Sequence, residues 1–155
     1  MTDAPHPDLR RPRVRSDLVG YLIVSVADVG GLATVGEALR QLVDAGTLRI
    51  LDLVALVCRD DGEVVVWESG SVPGLDLVVA PEDGLDLLSE HDIELSSLAL
   101  RPGTAGVVVV TEDRWAEPLS TAAQRAGGQI VAGDRIPPGR IEVALLHREG
   151  EAGVG

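Results

Sequence analysis

Apolar positions along the chain fall into two kinds of run. Tyr21–Val26, Glu63–Glu68, Val107–Thr111 and Gln129–Arg135 are short, Leu48–Arg59 is longer and apolar, and all five predict strands. Val35, Ala38, Leu39, Leu42 and Val43 recur at helical spacing and predict a helix from about Val35 to Ala45. Thr34 with Glu37 matches a capping box at its start, and Gly46 is placed to end it. Asp28–Ala33, ahead of it, reads as a glycine-containing loop. Asp60-Asp61-Gly62 marks a hairpin between the second and third strands.

Ser69–Gly84 is rich in turn-formers and reads as an irregular connection. Ser89 is placed to cap a short helix running to about Leu98. Glu112 and Asp113 lead into a helix ending near Gly127-Gly128, with Trp115, Leu119, Ala122, Ala123 and Ala126 on one face. Pro118 fits only near its start and predicts an irregular first turn. Pro138 opens a terminal helix.

Two strand–helix–strand passages stand out. One runs from Tyr21–Val26 through the first helix to Leu48–Arg59. The other runs from Val107 through the second long helix to Gln129–Arg135. This order predicts an α+β fold: two split βαβ passages in an antiparallel or mixed sheet, helices on one face, and a C-terminal helix. The hairpin argues against a purely parallel sheet.

Length sets the domain count. The 155 residues make one domain, read as 17–147. Met1–Ser16, rich in Arg and Pro, reads as a flexible arm, and 148–155 as a frayed tail. Arg10–Arg15 followed by Val19–Ala27 imitates a signal peptide, but Pro12 and Asp17 interrupt it, and a buried first strand explains the same residues. No apolar run reaches the roughly 18 residues of a membrane span.

Charge narrows the chemistry. The net charge is −12, which disfavours nucleic acid and anionic lipid as partners. All basic residues are Arg, so Schiff-base lysines and Walker lysines are excluded. The single cysteine, Cys58, excludes an intrachain disulfide, fits a cytoplasmic location and reads as a small buried hydrophobe. His6, His91 and His147 have no metal-ligand spacing, and nothing calls for a metal or cofactor.

The candidate chemistry is sparse. Gly30 and Gly31 precede a helix, where backbone N–H groups cradle anions, but they lack the dinucleotide and Walker patterns and read first as a glycine turn. Asp52 interrupts an apolar strand; a catalytic carboxylate and a hydrogen-bonded structural acid both fit. Glu112 and Arg114 stand at a helix start, where they suit a ligand contact or a cap.

Several phrases resemble a known family. Thr47-Leu48-Arg49-Ile50-Leu51-Asp52-Leu53 before an acidic hairpin is similar to a small, mainly actinobacterial family of unknown function. So are Leu88–Ile93, Leu100–Ala105 with its following valines, and Glu112–Ala116 leading to Gly128. A related uncharacterised family carries a membrane glycine zipper between the third and fourth strands. Here that slot holds Asp76, Glu82, Asp83 and Asp86, so this chain resembles a soluble version. The resemblance implies a ferredoxin-like fold and brings no activity.

The leading expectation is a non-enzymatic association domain, a homodimer or an adaptor for another protein. The alternative is a small-molecule sensor binding near Gly30 and Gly31. A third reading is an enzyme using Asp52 or Glu112.

Overall fold

Val107–Val110 locate the centre of the molecule. A strand apolar on both faces must be covered on both, and all eight residues of Ala105–Glu112 are buried. The computed structural model describes residues 14–76, 78–79, 84–131 and 133–153. Its strands are β1 (Val19–Val26), β2 (Arg49–Cys58), β3 (Val64–Glu68) and β4 (Ala105–Glu112). They form one antiparallel sheet in the order β1-β4-β2-β3. The helices among the described residues are α1 (Gly30–Asp44), α2 (Glu90–Ser97), α3 (Glu117–Arg125) and α4 (Pro138–Ala152).

Strand alternation divides the core. Leu53, Ala55, Val107 and Val109 face Leu32 and Leu39 of α1, joined by Val72, Leu75 and Val78. Val54, Leu56, Cys58 and Val108 face the other way, toward Leu100 and the half-buried Leu88 and Ile93. α1 and α2 therefore lie on opposite faces, which corrects the expectation of helices on one face. The cause is β4 itself, which has no polar side to leave in water.

The α+β class and the antiparallel sheet are as expected. β1–α1–β2 is one split passage, with β4 between its strands. β3–α2–β4 is another, with β2 between its strands. A ferredoxin-like sheet centres on its first and third strands, whereas here β4 and β2 are central and β1 and β3 are edges. The expected passage through Gln129–Arg135 is not formed. Described residues 129–131 and 133–135 are irregular, because no strand lies beside them to complete a ladder. The first strand is likewise not buried. It lies at an edge, and none of its eight residues is buried.

Local chemistry explains two boundaries. α1 starts at Gly30, ahead of the expected Val35, because Asp28 accepts from the Gly31 N–H through both its backbone oxygen (3.1 Å) and its Oδ1 (3.2 Å). Thr34 is then inside the helix, so the Thr34–Glu37 box does not form, and Glu37 pairs with Arg40 instead. The β2–β3 turn forms as expected: Gly62 takes φ +87° and the Glu63 N–H donates to Asp61 Oδ1 at 2.9 Å.

Ser89 caps α2 in a reciprocal box. Its Oγ accepts from the Asp92 N–H at 3.1 Å, while Asp92 Oδ2 accepts from Ser89 Oγ (2.7 Å) and N (2.9 Å). The Ser89 hydroxyl, then the Ser89 N–H, hold the Asp92 carboxyl below its ordinary 3.8. A depressed folded value stabilises above the unfolded one and is lost as pH falls through the folded one. In an acid titration followed by NMR, Asp92 is expected to protonate below 3.8, with the Ser89 amide shifting in step. A midpoint at or above 3.8 contradicts the box.

Candidate functional site

The densest polar cluster is built where β4 ends. Glu112 is the last residue of β4 and stands in register with Val19 of β1 and Arg49 of β2. It is 4% exposed and Arg49 is 7% exposed. Arg49 Nη2 donates to Glu112 Oε2 at 2.8 Å, and the Arg15 backbone N–H donates to the same oxygen at 2.8 Å. The central strand thus delivers a carboxylate to the one place where an arginine from β2 and the chain entering β1 converge.

Arg15 extends the cluster onto α3. Its Nη2 donates to Ser120 Oγ at 2.7 Å and its Nη1 to Thr121 Oγ1 at 3.2 Å. Glu117 Oε1 lies 3.8 Å from Nη1, and Asp17 accepts from Ser120 Oγ. Ser120 is fully buried, so the hydroxyl must find partners, and here it has both a donor and an acceptor. The arrangement is a clamp. It neutralises Glu112 and ties the entry to β1, the start of β2, the end of β4 and α3 to one point.

α3 meets the body through Ser120, and the turn before it through Ala116, not through the expected apolar face. Trp115, placed on that face by its spacing, is 65% exposed, and Leu119 is exposed as well. The sequence missed the polar contact because Ser120 and Thr121 carry no apolar signal. Asp113 makes no side-chain cap; its Oδ1 accepts from Thr111 Oγ1 at 3.0 Å. The irregular first turn expected from Pro118 is a 3-10 turn at Arg114–Ala116. Arg114, Glu117, Pro118, Thr121, Ala122 and Arg125 line an open depression of about 490 Å3 that borders the clamp at Glu117 and Thr121.

Asp52 closes a bulge in β2: the register with β4 shifts between Ile50, opposite Thr111, and Asp52, opposite Val110, with Leu51 as the extra residue. Its Oδ1 accepts from the Leu53 N–H (2.8 Å), and its Oδ2 from the N–H groups of Leu87 (2.9 Å) and Leu88 (2.8 Å). With the Leu85 N–H donating to Leu51 O at 2.7 Å, it fastens the chain leading to α2 along β2. Asp52→Ala is expected to cost about 1.5 kcal/mol, at the low end for bonds to a charged group because the site is half-exposed. Hydrogen exchange at Leu87 and Leu88 should rise selectively; unchanged protection there refutes the anchoring role.

Gly30 and Gly31 lie at the other end of the sheet. β1 carries Val26 beside them and Val19 beside Glu112, a separation of roughly 23 Å along the strand. A Cβ on Gly31 would come within 2.9 Å of Val26 Cβ, so glycine lets α1 start close against β1. The anion-binding position there already faces the Asp28 carboxylate. Gly30 and Gly31, Asp52, and Glu112 with Arg114 are therefore three separate places, not one cleft.

Cys58 is buried, and a second open depression lies over Cys58, Arg59, Asp60, Asp61 and Gly103. His91 is exposed, and the Nδ1 of His147 lies 2.9 Å from Val143 O. His6 lies outside the described residues. Among the described residues no three of His, Cys, Asp and Glu gather as a metal site, and no helix is long and apolar enough to cross a membrane.

Neither the curated proteins nor the solved structures yield a match to this chain. One family model does match it, over residues 15–149, the whole sheet and nearly all of α4. On that span the chain belongs to the Family of unknown function (DUF6325).

Proposed function

We propose that the chain is a non-enzymatic association module, cytoplasmic, pairing with a second copy or serving as an adaptor. The observation that carries this reading is α4. It is fifteen residues long and none of them is buried. Ile141, Val143, Leu145 and Leu146 all stand in solvent. A lone helix of this length is marginal in water and gains its stability from packing an apolar face. Gly139 and Gly150 weaken it further. Such a helix is suited to packing against another chain, and the exposed Trp115 and Leu119 add apolar surface of the same kind.

The sensing alternative has less behind it. It rests on the start of α1, and Asp28 already occupies the anion position there. The enzyme reading rests on Asp52 and Glu112, whose oxygens are engaged by backbone N–H groups and Arg49.

The test is native mass spectrometry of the full chain at micromolar concentration. A multiple of 16.2 kDa, or a stoichiometric second protein, is expected. Leu145→Glu with Leu146→Glu should return it to 16.2 kDa with an unchanged sheet signal in circular dichroism. A wild-type chain that is monomeric and carries no partner refutes the reading.

A further inference from the structure

β1 is an unprotected edge. Its eight residues include no Asp, Glu, Lys, Arg or Pro, and its register with β4 runs without a bulge. Proteins normally guard such an edge with charge, proline or a bulge. The other edge, β3, has five residues and ends on Glu68. Tyr21 (63% exposed) and Ile23 (36%) are exposed on the face of β1 opposite α1.

The same chain carries a matching donor. After α3, Gly127 (φ +80°) and Gly128 release the chain into Gln129-Ile130-Val131, β-formers in sequence but irregular here. From Gln124 to Gly153 every described residue except the half-buried Ile130 is exposed. A strand that follows β4 through a helix returns parallel to β4. Both neighbours of β4 are taken, by β1 and β2. The nearest vacancy parallel to β4 is the outer edge of β1. A strand there would be antiparallel to β1.

We propose that the chain beginning at Gln129 of one copy adds as a fifth strand to the β1 edge of a second copy, and reciprocally, carrying α4 onto the partner. This rests on the association reading and names its surface. Each copy presents an acceptor edge and a donor that stands clear of its own body, with a glycine hinge between donor and core. Reciprocal exchange satisfies both at once. Charge points the same way. Two chains of −12 repel over most of their surfaces, but β1 and Gln129–Val131 carry no charge, so this contact is neutral.

The test uses the full chain in a Cys58→Ser background. One chain carries Ile23→Cys and another carries Val131→Cys, with Ile130→Cys covering the alternative register. The two chains are mixed, oxidised and run without reductant. The expected result is a native mass of twice 16.2 kDa and a disulfide between chains. Its yield should be at least tenfold above that of Val66→Cys on the opposite edge. A disulfide that forms only when both cysteines share one chain means self-closure and overturns the exchange. A dimer with no disulfide in either register also overturns it but leaves the association reading standing. A monomer with no disulfide overturns both.

Discussion

Glu112→Ala is expected to lower the melting temperature by roughly 6–20 °C, the effect of about 3–5 kcal/mol on a domain of this size. The cost is not the value of a surface ion pair. Glu112 and Arg49 are both nearly out of solvent, and removing one partner leaves the other charge in low dielectric. The same substitution strips an acceptor from the Arg15 N–H, which holds the chain entering β1. Glu112→Gln keeps an acceptor and loses the charge, so it should fall between wild type and alanine. The pair Arg49→Met with Glu112→Leu should recover most of the loss, because a buried ion pair often exchanges for apolar volume at little cost. Thermal denaturation of the four proteins settles it. A loss below about 1 kcal/mol for Glu112→Ala means the clamp is not what ties the strands.

That cluster also shows what the sequence reveals and what it hides. Strands and turns announce themselves locally: the valines of β4, the Asp60-Asp61-Gly62 turn and the Ser89 cap each carry their signal within a few residues. The clamp does not. Arg15 and Ser120 are 105 positions apart, and Arg49 and Glu112 are 63 apart. Glu112 is singled out by its place before a helix, but its role depends on β4 lying between β1 and β2, and strand order is a long-range fact. Asp52 is legible as an anomaly in an apolar strand; that its partners are Leu87 and Leu88 is not.

What the sequence leaves out has a physical cause as well. Ser69–Gly84 reads as an irregular connection because it is rich in turn-formers, and its described residues form no strand or α-helix. Yet Val72, Leu75 and Val78 are buried, and they seal the sheet face that α1 leaves open. Their spacing of three was visible, but the turn-formers between them outweighed it. Gln129–Arg135 errs the other way. Its composition favours a strand, but a strand exists only beside another, and within this copy none pairs with its described residues. Propensity there describes what the segment suits, and the open edge of β1 is where that suitability has a use.

The buried connection depends on one backbone approach, and breaking it is the second large effect expected. A Cβ on Gly36 of α1 would lie 2.1 Å from the Gly74 carbonyl oxygen and 3.1 Å from Leu75 Cδ2. Gly74 takes φ +89°, and a Cβ there would lie 2.9 Å from Ala33 Cα. Two glycines from two segments thus face each other, and neither backbone has room for a methyl group. Alanine at Gly36 gains about 1 kcal/mol of helix propensity, so any net loss measures the clash above that gain. We expect a net cost of about 3 kcal/mol, the upper end for overpacking, because the blocked atom is backbone and Val72, Leu75 and Val78 must move with it. Gly20→Ala is the control: nothing lies within 4 Å of its Cβ and its φ is ordinary. It should be neutral or gain about 0.5 kcal/mol. Urea melts of the two variants decide the matter. Equal stability would mean that the 72–78 segment is free to shift away from α1, and that its burial is not what holds that face of the sheet.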